Sequence, residues 1–106
     1  KWTELLDCYD ALLVLAPGPI VELNRAYALS RAYSASLAIE AVQRIRGLET
    51  HPFYHALLAH LLESSAPAQA AAHWEAAARL TAVDEERKIY ENRAAAVRFS
   101  GGSLSW

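Results

Sequence analysis

The chain has few of the residues that interrupt helices or cross-link small proteins. Its 106 residues include four glycines, four prolines, one cysteine and no methionine. The single cysteine, Cys8, excludes an internal disulfide and suits a reducing compartment, so we expect a cytoplasmic location and a quiet, partly buried thiol. No apolar run approaches the roughly 18 residues that a membrane span requires, and we expect no membrane partner.

The chain also lacks an excess of positive charge and the common catalytic motifs. Its formal net charge is -2, whereas autonomous nucleic-acid binding usually needs a basic face, so we expect no direct nucleic-acid binding by this fragment. Glycine-rich phosphate loops, nucleophile elbows and paired carboxylates are missing, so we expect no enzyme activity and no cofactor. The start, Lys1-Trp2, has neither an initiator methionine nor a secretory signal, so we expect a piece of a longer protein.

The residues that are present favour helix throughout. Apolar positions recur at three- and four-residue spacing and predict about six helices without strands, joined by short connections into antiparallel hairpins. Pro17-Gly18-Pro19 ends the first helix, Ser34 or Ser36 caps the third, Gly47 suits a helix stop and Asp84 caps the sixth. We expect one domain over residues 1–99: a leading helix (1–16), two hairpins (19–47 and 52–81) and a capping helix (84–99), followed by a flexible tail (100–106).

The outer helices each carry an apolar stripe. In the first helix it comprises Trp2, Leu5, Leu6, Tyr9, Leu12 and Leu13, and in the sixth it comprises Ile89, Tyr90, Ala94 and Val97. Stripes of this kind predict faces that pack against neighbouring helices.

The two hairpins echo each other in the manner of tetratricopeptide repeats. In the second, large residues on the first helix precede small, aromatic and small residues on the other: Tyr54, Leu57, Leu58, Leu61, then Ala70, Trp74, Ala77. The first hairpin fits more loosely, through Ala26, Leu29, Ala38, Val42 and Ile45. The registers lie about 32 residues apart, against 34 in the family. We therefore expect an all-α, tetratricopeptide-like right-handed superhelix in which the outer helices cap the stack.

Several motifs, spread over residues 2–99, carry a family resemblance. They are Trp2 before Tyr9-Asp10-Ala11-Leu12, Pro19-Ile20-Val21-Glu22-Leu23-Asn24-Arg25-Ala26, Tyr54-His55 opening an Ala/Leu-rich helix, and Glu86-Arg87 with Arg93. In this order they resemble the tetratricopeptide-like C-terminal region of extracytoplasmic-function RNA polymerase sigma factors. The turns depart from the family, with Tyr33-Ser34-Ala35-Ser36 and Ser64-Ser65-Ala66-Pro67 in place of Gly-Pro and Gly-Arg turns.

The resemblance implies a regulatory protein-interaction domain of a factor that acts in transcription initiation. Its partners would be the sigma core regions, RNA polymerase or a separate regulator, and promoter DNA would be reached only through upstream regions absent here. A generic tetratricopeptide-like peptide-binding adaptor is the alternative, and an enzyme or small-ligand domain ranks last. The apolar outer helices also allow a homodimer of the isolated fragment.

The candidate partner-binding residues are Asn24, Arg25, Tyr54 and His55. A structural interpretation stands beside this one: Asn24 would be a buried amide that ties adjacent helices, and Arg25 would pair with Asp10 or Glu22. His55 would then be a packing or capping residue.

Histidines and charged residues elsewhere suggest no further site. The spacing of His51, His55 and His60 differs from the four-residue helical zinc pair, so we expect no metal site. The charged run 85–88 is expected to be a solvated helix start rather than an interaction patch.

Overall fold

The computed structural model describes residues 1–103 of the chain, with side chains for residues 1–99. Within that range it contains helices and no strand, which confirms the all-α prediction. The helices are α1 (Trp2–Leu15), α2 (Pro19–Ala32), α3 (Ala35–Gln43), α4 (Pro52–Leu62), α5 (Pro67–Leu80) and α6 (Asp84–Ser103).

Local sequence signals explain where several helices begin. Pro19, Pro52 and Pro67 open α2, α4 and α5, where the missing N–H of proline costs no hydrogen bond. The hydroxyl oxygen of Ser34 accepts a hydrogen bond from the Leu37 N–H at 3.2 Å and caps α3, so Ser34 rather than Ser36 is the cap. After α3, Gly47 takes a positive φ of 86°, a conformation that suits a residue without Cβ.

The chain divides into two compact units, and the first extends from Lys1 to Leu48. In it, α2 packs against both α1 and α3. The Trp2 and Tyr27 rings make an edge contact at 5.7 Å between centroids. The start of α1 therefore lies beside the second half of α2, and the two helices are antiparallel. The core of this unit is built from small and branched apolar side chains: Leu23, Ala26, Ala28, Ala38, Val42 and Ile45.

The second unit begins at Glu49. Here α5 packs against both α4 and α6. The predicted apolar faces of α4 and α5 are buried: Leu57, Leu58, Leu61, Leu62, Ala70, Trp74 and Ala77. Alanines at the contact let the α5 backbone approach its neighbours closely. That residues 1–99 act as one domain, with a superhelical arrangement, stays a prediction.

The apolar stripes of the outer helices are partly exposed, and the expectation for Cys8 is wrong. Of the α1 stripe only Leu6 is buried, while Trp2, Leu5 and Leu12 are exposed. Helix α1 packs against α2, and this contact covers only part of the apolar stripe of α1. Cys8 is exposed rather than partly buried. In α6, Ile89 is 57% exposed, whereas Ala94 and Val97 are buried, so the face toward α5 is narrower than the stripe.

The last helix is longer than expected. It runs to Ser103, so residues 100–103 are helical rather than part of a flexible tail. No proline interrupts α6, although each of its two glycines costs about 1 kcal/mol relative to alanine in a helix interior. Residues 104–106, including Trp106, lie outside the described residues.

Candidate functional site

Asn24 and Arg25 lie on α2 in the first unit. The Arg25 Nε donates a hydrogen bond of 2.6 Å to Asp10 Oδ1 on α1, the pairing that the structural interpretation named. The Arg25 side chain keeps 30% of its surface exposed. Asn24 is half-buried, and among the described residues no hydrogen bond of its side chain is found. The expected helix-tying role of the Asn24 amide is therefore wrong, because its position is too open to require a protein partner.

A groove in the first unit brings Arg25 together with residues of all three helices and of the segment after α3. Its lining residues are Leu13, Glu22, Arg25, Ala41, Arg44 and Ile45. Arg44 is 81% exposed and meets Glu40 only at 3.9 Å. The groove thus combines apolar lining residues with two guanidinium groups and the Glu22 carboxylate.

Tyr54 and His55 lie in the first turn of α4 in the second unit. The Tyr54 and His55 rings make an edge contact at 5.2 Å between centroids. His55 also meets a residue that the sequence analysis did not single out: its Nδ1 lies 3.0 Å from Nδ1 of His73 on α5. The first compact unit contains Asn24 and Arg25, and the second contains Tyr54 and His55.

The hydrogen-bond partners determine the tautomers of the two histidines. His55 Nε2 lies 2.7 Å from the Glu49 carbonyl oxygen, which can only accept, so Nε2 carries the proton. The neutral His55 ring then offers a lone pair at Nδ1. His73 must donate its Nδ1–H to that lone pair, which leaves His73 Nε2 unprotonated in the neutral pair.

Burial lowers the pKa of His73 from its usual 6.5, and positive charge on His55 lowers it further. Desolvation disfavours the imidazolium form, and a second cation 3.0 Å away adds repulsion. His73 is therefore neutral at pH 7, as the Nδ1–H donor role requires.

A simple signal in the sequence could have revealed this pair. His55 precedes Ser64 by nine residues, and His73 follows it by nine. The α4–α5 hairpin turns between Leu62 and Pro67, so residues at similar distances on either side of Ser64 lie on facing helices. His51, His55 and His60 lie on or next to α4, so their spacing alone could not reveal a partner on α5.

A second polar cluster joins the helices of the second unit. Glu63, directly after α4, accepts hydrogen bonds from Trp74 Nε1 on α5 at 2.8 Å and from Arg93 on α6 at 2.6 Å. The Trp74 ring stacks on Tyr90 at 5.7 Å, and the Arg93 guanidinium lies over the same indole at 5.7 Å. This cluster serves packing, and it confirms the prediction that Trp74 belongs to the core.

The charged run at the start of α6 is not simply a solvated helix start. Arg87 donates hydrogen bonds to the carbonyl oxygens of Ala78 and Thr81 at the end of α5. Glu86 accepts one from the buried Thr81 hydroxyl at 2.6 Å. These two residues satisfy polar groups at the α5–α6 turn, so their main role is structural.

Other kinds of site find no support in the part of the chain that the structure describes. No group of three or more His, Cys, Asp or Glu side chains is arranged to hold a metal ion there. No described helix combines the length and the apolar character that crossing a bilayer demands.

Comparison with known proteins adds no relative. No family model, no curated protein and no solved structure matches this chain.

Proposed function

We propose that the chain is a regulatory protein-interaction domain of the kind that follows the core regions of an extracytoplasmic-function sigma factor. The observation that carries the interaction role is the groove of the first unit, which contains Arg25. The step to transcription initiation rests on the resemblance of the segment Leu23-Asn24-Arg25-Ala26 and its flanking motifs to that family.

The groove favours a partner segment that is both apolar and acidic. Leu13 and Ile45 offer apolar contact. Arg44 offers a guanidinium group that can bind a carboxylate through two hydrogen bonds. Arg25 adds positive charge but already donates to Asp10 through Nε, and Glu22 contributes a carboxylate to the same lining. The Arg44 contact with Glu40 is long and exposed, so a partner carboxylate can compete for Arg44 at little cost.

In this proposal the partner is a protein: the sigma core, RNA polymerase or a separate regulator in the cytoplasm. Promoter DNA is contacted by other regions of the parent protein. Binding at the groove changes the activity of the coupled sigma regions without covalent chemistry. A generic peptide-binding adaptor would use the same groove, because nothing in its chemistry is particular to transcription.

The regulatory role can be tested with the parent protein and a reporter for its target promoter. Deleting residues 1–106 should change transcription, and Arg44→Glu should change it in the same direction, because a carboxylate in the groove repels an acidic partner. Arg46→Glu is the matched control: it makes the same charge change two residues away, at an exposed position outside the groove.

Two outcomes would contradict different parts of the proposal. Unchanged transcription after the deletion, under every growth condition tried, would remove the regulatory role. Equal effects of Arg44→Glu and Arg46→Glu would remove the groove as the contact. If the parent gene encodes no sigma regions, the transcription role fails and the adaptor remains.

A further inference from the structure

The first turn of α4 depends on lone pairs of histidine rings. His51 Nδ1 accepts a hydrogen bond from the Phe53 N–H at 3.2 Å and so caps the helix. His55 Nδ1 accepts from His73 at 3.0 Å, while its Nε2–H donates to the Glu49 carbonyl oxygen at 2.7 Å. Residues 49–55 are therefore held by a chain of contacts in which two imidazoles act as acceptors.

Protonation removes these acceptors one by one. An imidazolium ring has N–H groups at both nitrogens and no lone pair, so a protonated His51 can no longer accept from Phe53. The histidine pair behaves differently, because a first added proton on either ring still leaves one N–H and one lone pair between the two Nδ1 atoms. A second added proton removes that lone pair and places two N–H groups face to face across 3.0 Å.

The surroundings offer no compensation for this charge. Cations near a helix N-terminus are disfavoured by the helix dipole, and both His51 and His55 lie at the start of α4. From α4 the ring of Tyr54 also contacts His55.

The packed helix faces supply no counter-charge either. The carboxylates at the end of α4 and on α5 are already engaged by α6 guanidinium groups: Glu63 pairs with Arg93, and Glu75 pairs with Arg98. Among the described residues, the one charge found to shift the pKa of His73 is that of His55.

We propose that the contacts of His51, His55 and His73 form an acid-sensitive latch that holds the first turn of α4 and Glu49 in place and opens when the pair takes up its second proton. Glu49 is the residue at which the second unit begins. Opening the latch therefore frees the backbone that leads into this unit. The latch is independent of the groove and of the proposed transcription role.

The direction of the pH effect follows from proton linkage. Burial and positive charge on His55 lower the pKa of His73 in the folded state, so the closed pair resists holding two protons, and this pKa returns toward its usual 6.5 when the latch opens. Below pH about 6.5 the open state therefore binds more protons than the closed state. The latch is fully closed above pH about 6.5 and weakens as the pH falls below that value. Each proton taken up on opening raises the opening equilibrium constant by up to about tenfold per pH unit.

Two NMR measurements on the complete chain test the proposal. Long-range ¹H–¹⁵N spectra at pH 7.5 should show a proton on His55 Nε2 and on His73 Nδ1. Hydrogen exchange at pH 7.5 and 5.5 should show that amides in the first turn of α4 lose several-fold, up to about tenfold per proton taken up, in protection at the lower pH, after correction for intrinsic rates. Amides in the middle of α5 should change much less.

Variants then separate the latch from general acid sensitivity. His73→Gln keeps a donor toward His55, and its amide can rotate to present an acceptor instead, so the pH dependence of protection should fall to the part that comes from the His51 cap. His51→Asn keeps the cap without a titrating ring and should reduce the dependence in part. His60→Gln, at an exposed position on α4, is the matched control and should behave as the wild type.

The opposite results would overturn the latch. One is a proton on His55 Nδ1 at pH 7.5, which would reverse the hydrogen bond. Another is a pH dependence in His73→Gln equal to that of His60→Gln. If His73→Gln fails to fold, the tautomers and the His51→Asn exchange data decide the question.

Discussion

Trp74 and Glu63 form a hydrogen bond on which the three helices of the second unit converge. The indole Nε1 donates to Glu63 Oε2 at 2.8 Å, while the same carboxylate accepts from Arg93. Trp74 is 7% exposed, so its N–H would lack water if Glu63 were absent. The pair therefore satisfies a buried donor and aligns the end of α4 with α5 and α6.

Two substitutions of Trp74 should separate the ring from its hydrogen bond. Trp74→Phe keeps most of the packing and removes the donor, so we expect a loss of about 1–2 kcal/mol in the free energy of unfolding. Trp74→Ala should cost roughly 3–5 kcal/mol, because it also leaves a cavity. Urea unfolding measures both, with Trp2→Phe at a 36% exposed position as the control. Equal losses for Trp74→Phe and Trp2→Phe would contradict the role of Glu63.

Leu23 is fully buried, and Leu15 is 84% exposed. The same change to alanine at each position therefore tests the core of the first unit. Leu23→Ala should lower the free energy of unfolding by about 2–5 kcal/mol, and Leu15→Ala by no more than about 0.5 kcal/mol. Thermal or urea unfolding gives both values. A cost at Leu15 that matches the cost at Leu23 would mean that the end of α1 is covered in solution, as in a homodimer.

Gly47 and Gly18 differ in backbone conformation although neither has a neighbouring atom within 4 Å of an added Cβ. Gly47 has a φ of 86°, where an L side chain costs about 1–2 kcal/mol. Gly18 has a φ of 175°, which any residue adopts. We expect Gly47→Ala to lower stability by that amount and Gly18→Ala, at the N-cap of α2, to lower it by less than about 1 kcal/mol. A neutral Gly47→Ala would show that the α3–α4 connection can take another conformation.

Arg25 and Asp10 are joined by a short contact, but their side chains are 30% and 54% exposed. A double-mutant cycle with Arg25→Ala and Asp10→Ala should therefore give a coupling of about 0.2–1 kcal/mol. The coupling should shrink as NaCl rises, because salt screens exposed charges. A coupling above about 2 kcal/mol, insensitive to salt, would assign Arg25 to structure and weaken its proposed role in the groove.

Local features of the fold could be predicted because they depend on neighbours in the chain. Helix starts could be predicted at Pro19, Pro52 and Pro67, because the first residue of a helix does not need the N–H that proline lacks. The buried face of α4 could be predicted from the spacing of Leu57, Leu58 and Leu61. The contacts of the candidate site join residues that are far apart in the sequence, so fewer of them could be predicted. Asp10 was one of two partners expected for Arg25, the other being Glu22, whereas the partner of His55 lies on another helix and was missed.

The sequence by itself determined the helices, most of their boundaries and the small-aromatic-small face of α5, since periodicity and turn chemistry act over a few residues. Only the tertiary structure decided which polar groups meet. It placed His73 against His55, Arg93 against Glu63 and Arg87 beneath the end of α5. It also left most of the α1 stripe exposed. These outcomes depend on how far each helix is rotated against its neighbour, and a shift of one residue rotates a side chain by about 100°.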